Sequence, residues 1–213
     1  MTSRIGLISD IHACAAPLQE ALEVFRREKV DLIFCAGDIA GYGTELASTV
    51  ELLAQSKCAA IMGNHDAWYL DSLAGRKDGF DAEYISRLPC MWESVTDGIH
   101  VYGVHASPLQ SLNRGIRLLD ENGEVIPAEK SRWAALIDRH PFDVLVVGHT
   151  HQVFAERLGS KLVVNPGSTK FNHTCAILNL PGMDVRIFPL SGREPLKSWN
   201  WGMMAGGRFN MEP

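Results

Sequence analysis

Four short polar motifs fall in order along the 213-residue chain. They are Asp10-x-His12, Gly37-Asp38, Gly63-Asn64-His65-Asp66 and Gly148-His149-Thr150-His151, with His105 between the last two. Carboxylates, imidazoles and one amide oxygen, without thiolate, suit Mn²⁺ first, with Fe²⁺, Zn²⁺ and Ni²⁺ also accommodated, better than a structural zinc site. Two divalent cations about 4 Å apart need an anion between them. Asp38, leaving a turn that Gly37 permits, supplies one. Asp10 and His12 are expected on an extended segment, where residues i and i+2 point the same way and reach one metal. His149 and His151 share that spacing on a turn and could split between two metals. Asn64 offers a neutral oxygen, and His105 completes the second metal's set. Such a dinuclear site hydrolyses phosphate esters by lowering the pKa of a bridging water, whose hydroxide attacks phosphorus in line. A protonated group near the leaving oxygen helps its expulsion. His65, beside a ligand but not needed as one, is the expected acid. Asp66 either orients it or favours a helix start. Asp-x-His alone arises by chance in roughly one chain in five, whereas Gly-His-x-His and Gly-Asn-His-Asp are each expected in well under ~1%.

These motifs must be positioned by strands, because each ends, or nearly ends, an apolar run. The first 65 residues alternate strand and helix: strands over 4–9, 31–36 and 58–62, helices over 16–29 and 45–56 with Thr44 as N-cap. That alternation implies a parallel sheet with right-handed crossovers, whose carboxyl-end loops carry ligands. Residues 66–92 read as helical with a polar, Gly-punctuated stretch near 75–79. A strand over 99–104 delivers His105. Residues 106–127 have no clear pattern beyond a hairpin signal at Asn122-Gly123, flanked by Leu118-Leu119 and Val125-Ile126. A helix over 129–139, a strand over 143–147 and then strands over 152–158, 161–164, 175–180 and 185–190 give a mixed or antiparallel second half. The expected organisation is one domain over 1–190 and a C-terminal tail, docked or mobile, over 191–213.

The motif string resembles the calcineurin-like metallophosphoesterase superfamily over residues 10–151, and its small phosphodiesterase-like branch in particular. Gly37-Asp38-Ile39-Ala40-Gly41-Tyr42-Gly43 and Asn165-Pro166-Gly167-Ser168 are similar to turns of that branch. The resemblance implies an α/β fold, a four-layer α-β-β-α sandwich of two mixed sheets flanked by helices. It also implies that Asp10, His12 and His151 bind one metal, that Asn64, His105 and His149 bind the second, that Asp38 bridges them and that His65 is the acid. Protein Ser/Thr phosphatases of the superfamily carry Asp-Arg after the bridging Asp. Here Gly41-Tyr42 stand in those positions, which argues against a protein-phosphatase activity.

The composition fits a soluble globular chain: 46% hydrophobic, 21% charged, net charge −5. No Lys/Arg run exceeds two residues, so there is no electrostatic footprint for nucleic acid. No stretch reads as a signal peptide or membrane span, and five widely spaced cysteines read as reduced thiols, which points to the cytoplasm. The expected partner is a small phosphate-ester substrate, with oligomerisation left open. Rival readings are a nucleotide anhydride hydrolase of the diadenosine tetraphosphate type and a non-catalytic scaffold of the same fold. Arg114 and Arg117 are read as a solvated loop before a phosphate contact. Trp68, Trp92 and Trp133 are read as packing residues, and His100, His140 and His173 as mostly structural.

Overall fold

The computed structural model describes residues 2–75, 79–109 and 112–199. Strand–helix alternation opens the fold with β1 (Ser3–Ile8), α1 (Ala15–Arg27), β2 (Leu32–Cys35), α2 (Leu46–Gln55) and β3 (Ala59–Ala60). Then come α3 (Asn64–Ser72), α4 (Phe80–Ser86), β4 (Met91–Thr96), β5 (Ile99–Val104), α5 (Pro127–Ile137) and β6 (Val144–Val146). The chain continues with β7 (Val153–Leu158), β8 (Lys161–Pro166), β9 (Thr174–Leu180) and β10 (Asp184–Pro189). The strands form two five-stranded mixed sheets, ordered β10-β9-β1-β2-β3 and β4-β5-β6-β8-β7. β1, β2 and β3 are parallel in the first sheet, and β5, β6 and β8 in the second.

The two-residue side-chain period of these strands builds three apolar layers. Ile5, Leu7, Phe34, Val144, Val146, Leu162, Val164, Ala176 and Leu178 meet between the sheets. The alternate residues face outward. Ile8, Cys35, Cys175 and Ile177 pack under Leu18, Phe25, Val50, Leu53 and Ile85 of α1, α2 and α4. Leu145, Val147 and Val163 pack under Trp133 and Ile137 of α5. The result is the four-layer α-β-β-α sandwich, each fully buried large side chain contributing about 1.5–3 kcal/mol.

The inner layer is tight where Gly103 faces Phe34, whose fully buried ring stacks on Trp92 at 4.5 Å. A β-carbon at 103 would collide with that ring. Gly103→Ala is therefore expected to lower unfolding stability by about 1–3 kcal/mol, read as a fall in the urea midpoint. A variant with the wild-type midpoint would show that the two sheets part easily here.

Several local expectations are corrected. β3 has only two paired residues, because Met62 N–H turns away to Pro89 O at 2.8 Å. Thr44 does not cap α2; Glu45 occupies the N-cap without a side-chain bond. The stretch 66–92 is not continuously helical: it breaks after α3, and Met91 and Trp92 belong to β4. Between β5 and α5 the hairpin forms, with a Leu119–Val125 bridge and Ile126 N–H donated to Leu118 O at 2.8 Å. The start of the tail is docked: Leu196 N–H reaches Asn172 O and Val153 N–H reaches Lys197 O. Residues 200–213, including Trp201, lie outside the described residues. No helix among the described residues is long and apolar enough to cross a membrane.

Candidate metal centre

The ends of β1, β2 and β3 from one sheet and of β5 and β6 from the other deliver all the polar motifs to one edge of the sandwich. Their loops are laced together by backbone bonds: Asp10 N–H to Gly37 O at 2.9 Å, His12 N–H to Asp38 O at 3.0 Å and Gly148 N–H to His105 O at 2.8 Å. Close approach depends on glycine. A β-carbon on Gly148 would collide with Ser9 Oγ, and one on Gly37 would lie 2.8 Å from both Gly63 N and His105 Nδ1.

Asp10 and His12 are not on an extended segment. Both lie beyond β1 in the left-handed region, each with φ 52°, as do Asp38 (55°), His149 (67°) and His151 (48°). Each such residue costs about 1–2 kcal/mol relative to ordinary backbone. The surrounding bonds hold them there, and the alternating turn, not a strand's pleat, brings residues 10 and 12 together.

Three clusters of ligand atoms result, each within 4.8 Å: Asp10, His12 and His151; His12, Asp38 and His65; Asp38, His105 and His149. His12 Nε2 and His151 Nε2 are 3.1 Å apart, and His151 Nε2 is 3.4 Å from Asp10 Oδ1. Asn64 Oδ1 sits 3.0 Å from His105 Nε2 and 2.8 Å from His149 Nδ1. Asp38 belongs to two clusters: its Oδ2 is 3.4 Å from His105 Nε2, and its Oδ1 accepts the His65 N–H at 2.8 Å. Asp10, His12, Asp38 and His105 are almost wholly buried. Among the described residues no Lys or Arg side chain pairs with Asp10 or Asp38; besides the imidazoles, Asp10 accepts the His149 N–H at 3.0 Å and Asp38 the His65 N–H, so neither interior carboxylate has a fixed cation beside it. Buried anions are held by partners or metals, and this oxygen-and-imidazole set fits divalent cations.

Electrostatics sharpen the picture. Burial alone would raise the Asp10 carboxyl, but the His151 contact and the nearby imidazoles outweigh it and hold the group far below the carboxylate range. Asp38 is lowered too, as His105 overcomes its burial. Burial pushes His12 and His149 down to about 4, so both are neutral at physiological pH. His105 goes the other way: burial disfavours its charge, but Asp38 and Asp10 raise it to about 9. Both its nitrogens face oxygen acceptors, Nδ1 at 2.7 Å from Ala36 O and Nε2 against Asn64 and Asp38.

Asp38 and Asp10 thus favour the doubly protonated form of the His105 ring. Its pKa is raised above the ordinary 6.5. The stability it adds is full below pH 6.5 and is lost as pH rises through about 9. A cation that takes Nε2 must expel this proton while Nδ1–H stays on Ala36. Mn²⁺ uptake near neutral pH is expected to release about one proton per chain, visible by calorimetry in buffers of different ionisation enthalpy. Uptake without proton release would rule out His105 Nε2 as a donor.

Second-layer residues hold the loops. Ser168 Oγ–H donates to Asp10 O at 2.6 Å, Asn165 Nδ2 to Gly148 O at 3.0 Å and Thr150 Oγ1 at 3.1 Å, and Asn172 Nδ2 to His151 O at 2.9 Å. Asn165-Pro166-Gly167-Ser168 is therefore more than a turn. Asn172 escaped sequence reasoning, as did Phe171, stacked 5.1 Å from His151, and the placement of Trp199, 4.2 Å from Phe171. Their only sequence signal is that they follow that turn or lie in the tail.

Asp66 does not orient His65. Its carboxylate accepts Gly63 N–H at 2.9 Å and Ala40 N–H at 2.7 Å, closing the start of α3. The His65 ring instead lies between Tyr42 at 4.6 Å and Trp68 at 4.7 Å. Trp68 is 57% exposed, so it is not the packing residue expected from sequence; Trp133 and Trp92 do pack. Burial lowers the pKa of His65, against the pull of Asp38 and Asp10. The clusters open into a cleft of about 290 Å³, walled by Asp38, Asn64, His65, Arg117, His149 and Trp199 among others.

Residues 4–181 match the family described as the calcineurin-like phosphoesterase superfamily domain. The chain belongs to this superfamily. A probable metallophosphoesterase of Methanothermobacter thermautotrophicus is 29% identical over 170 residues, 77% of this chain and 76% of the relative. The fold is shared with the hypothetical protein PH1004 of Pyrococcus horikoshii, at TM-score 0.68, 19% identity and coverage of 92% and 89% of the two chains. An archaeal phosphodiesterase superposes with TM-score 0.57 at 19% identity, covering 88% of this chain and 99% of its own. Members of the superfamily are metal-dependent phosphoesterases.

Proposed function

We propose that this phosphoesterase uses two divalent cations, Mn²⁺ foremost, to hydrolyse phosphodiesters or other small phosphate esters by in-line displacement. The observation that carries this reading is the pair of clusters, Asp10–His12–His151 and Asp38–His105–His149, with Asp38 also in a third beside His12 and His65. Asp10, His12 and His151 would hold one cation, Asn64, His105 and His149 the second, and Asp38 both. Bound cations would supply positive charge to the phosphoryl oxygens and acidify water.

The chain's own contribution is placement. Left-handed turns aim the donors inward, and the Ser168, Asn165 and Asn172 bonds fix the loops that carry them. The Asp38 carboxylate grips the His65 backbone, while Tyr42 and Trp68 flank its ring. His65 would give a proton to the leaving oxygen at the mouth of the cleft, and because burial lowers its pKa the proton-bearing form gains as pH falls. Gly41 keeps its neighbourhood open: a β-carbon there would lie 2.7 Å from His65 Nδ1.

The deciding experiment is hydrolysis of a chromogenic phosphodiester and the matching monoester, side by side, in excess Mn²⁺. Preference for the diester supports the reading. Preference for the monoester redirects it to phosphomonoesters. Turnover of neither, by protein that holds metal, removes it.

A further inference from the structure

A cavity of about 640 Å³ adjoins the metal cleft, and the two share Arg117. Its other walls include Arg114, Arg132, Ile126, Leu109 and Glu129. Three guanidinium groups meet one carboxylate there, in a chain whose net charge is −5. Glu129 is already bonded to Arg132 Nη1 at 2.9 Å. Neither Arg114 nor Arg117 makes an ion pair or side-chain hydrogen bond among the described residues. A local excess of positive charge, facing a cavity, attracts an anion, and guanidinium forks match phosphate.

The arginine segment is fixed relative to the metal loops. Thr150 Oγ1–H donates to Ile116 O at 3.1 Å, and Gln152 Oε1 accepts the N–H groups of Leu118 and Leu119 at 2.8 and 3.1 Å. A β-carbon on Gly115 would lie 2.6 Å from Thr150 Cγ2 and 2.7 Å from His149 Cδ2. Arg114 and Arg117 therefore flank a direct contact with the loop that carries His149. The cavity volume falls in the range of about 300–1,000 Å³ typical of organic ligands. Leu109 and Ile126 add an apolar wall that a bare phosphate would not use.

We propose that this cavity binds a second phosphate-bearing group of the substrate, of nucleotide size, beside the phosphate that reacts. The proposal rests on the phosphoesterase reading for the identity of the cleft. Preferred substrates then carry two phosphates, one at the metal centre and one among Arg114, Arg117 and Arg132.

The test is calorimetric titration of the full chain, in Mn²⁺, with thymidine 5′-monophosphate and thymidine 3′,5′-bisphosphate. The bisphosphate is expected to bind at least about tenfold tighter. That ratio is expected to fall below about threefold in Arg114→Ala and in Arg132→Ala. Because the readout is a ratio within each protein, a general loss of affinity does not imitate it. Equal affinities, an advantage that survives both substitutions, or no binding of either nucleotide overturns the proposal. Failure of the phosphoesterase reading shows separately, as a protein that keeps the bisphosphate preference but turns over no phosphate ester.

Discussion

Asp38→Asn is expected to leave the protein folded, to lower its content of tightly held Mn²⁺ and to reduce ester hydrolysis by at least ~10²-fold, the upper cost of losing even an outer-shell partner of a metal ligand. The substitution keeps shape and removes charge. Asp38 has φ 55°, a left-handed conformation that asparagine tolerates, so the turn after Gly37 survives. The amide oxygen can still accept the His65 N–H bond now made at 2.8 Å. What disappears is the charge of one of the two carboxylates in the ligand clusters, the one that faces His105 at 3.4 Å and belongs to two of the three clusters. With Asp10 as the remaining anion, two dications would be undercompensated. Metal content by elemental analysis, with circular dichroism as the check on folding, reads the result. A folded Asp38→Asn protein that keeps two metals and wild-type turnover would deny Asp38 its shared role.

The parts of this architecture that sequence exposes are those with a repeating physical cause. The apolar runs before Asp10, Asp38 and Asn64, separated by helices with an apolar face, required a parallel sheet, and that sheet is β1-β2-β3. The convergence of these side chains was legible because carboxylate, imidazole and amide groups have few other reasons to end buried strands, and the structure brings them into three clusters. What stayed hidden lacks a period. β4 lies at a sheet edge with exposed Met91 and Val95, so nothing distinguished it from the helical stretch before it. Left-handed backbone at Asp10 and His12 leaves no mark in sequence, because these are not glycines. Asn172 and Ser168 act through single bonds to carbonyls of the ligand loops, a relation visible only once β8 and β9 have brought the chain back to them. Trp68 was misjudged for a related reason. A tryptophan on a helix usually packs, but here Trp68, three residues after His65 on α3, lies beside that ring at the cleft.

His65→Ala is expected to retain metal and lose turnover by ~10²–10⁴-fold, the range for a positioned acid or base. The size of the loss depends on the leaving group. A nitrophenolate departs without a proton, so its ester should be affected least. An alkoxide needs the proton, so alkyl esters should fall furthest. This dependence separates acid catalysis from damage to the metal site, which would slow every ester alike. Metal retention is expected because only one of the three clusters includes His65. The ring of His65 is half-buried at the mouth of the cleft, whereas Asp10, His12, His105 and His151 lie deeper. The link from Asp38 to residue 65 is through the backbone N–H, which alanine keeps. Removing the ring leaves a gap between Tyr42 and Trp68, so the variant should be paired with Trp68→Ala, which removes the flanking ring but keeps the imidazole. His65→Ala should steepen the dependence of log kcat on leaving-group pKa far more than Trp68→Ala. Equal steepness in the two variants would make the aromatic slot, not the imidazole proton, the feature that matters. An unchanged slope in His65→Ala would remove His65 from the acid role altogether.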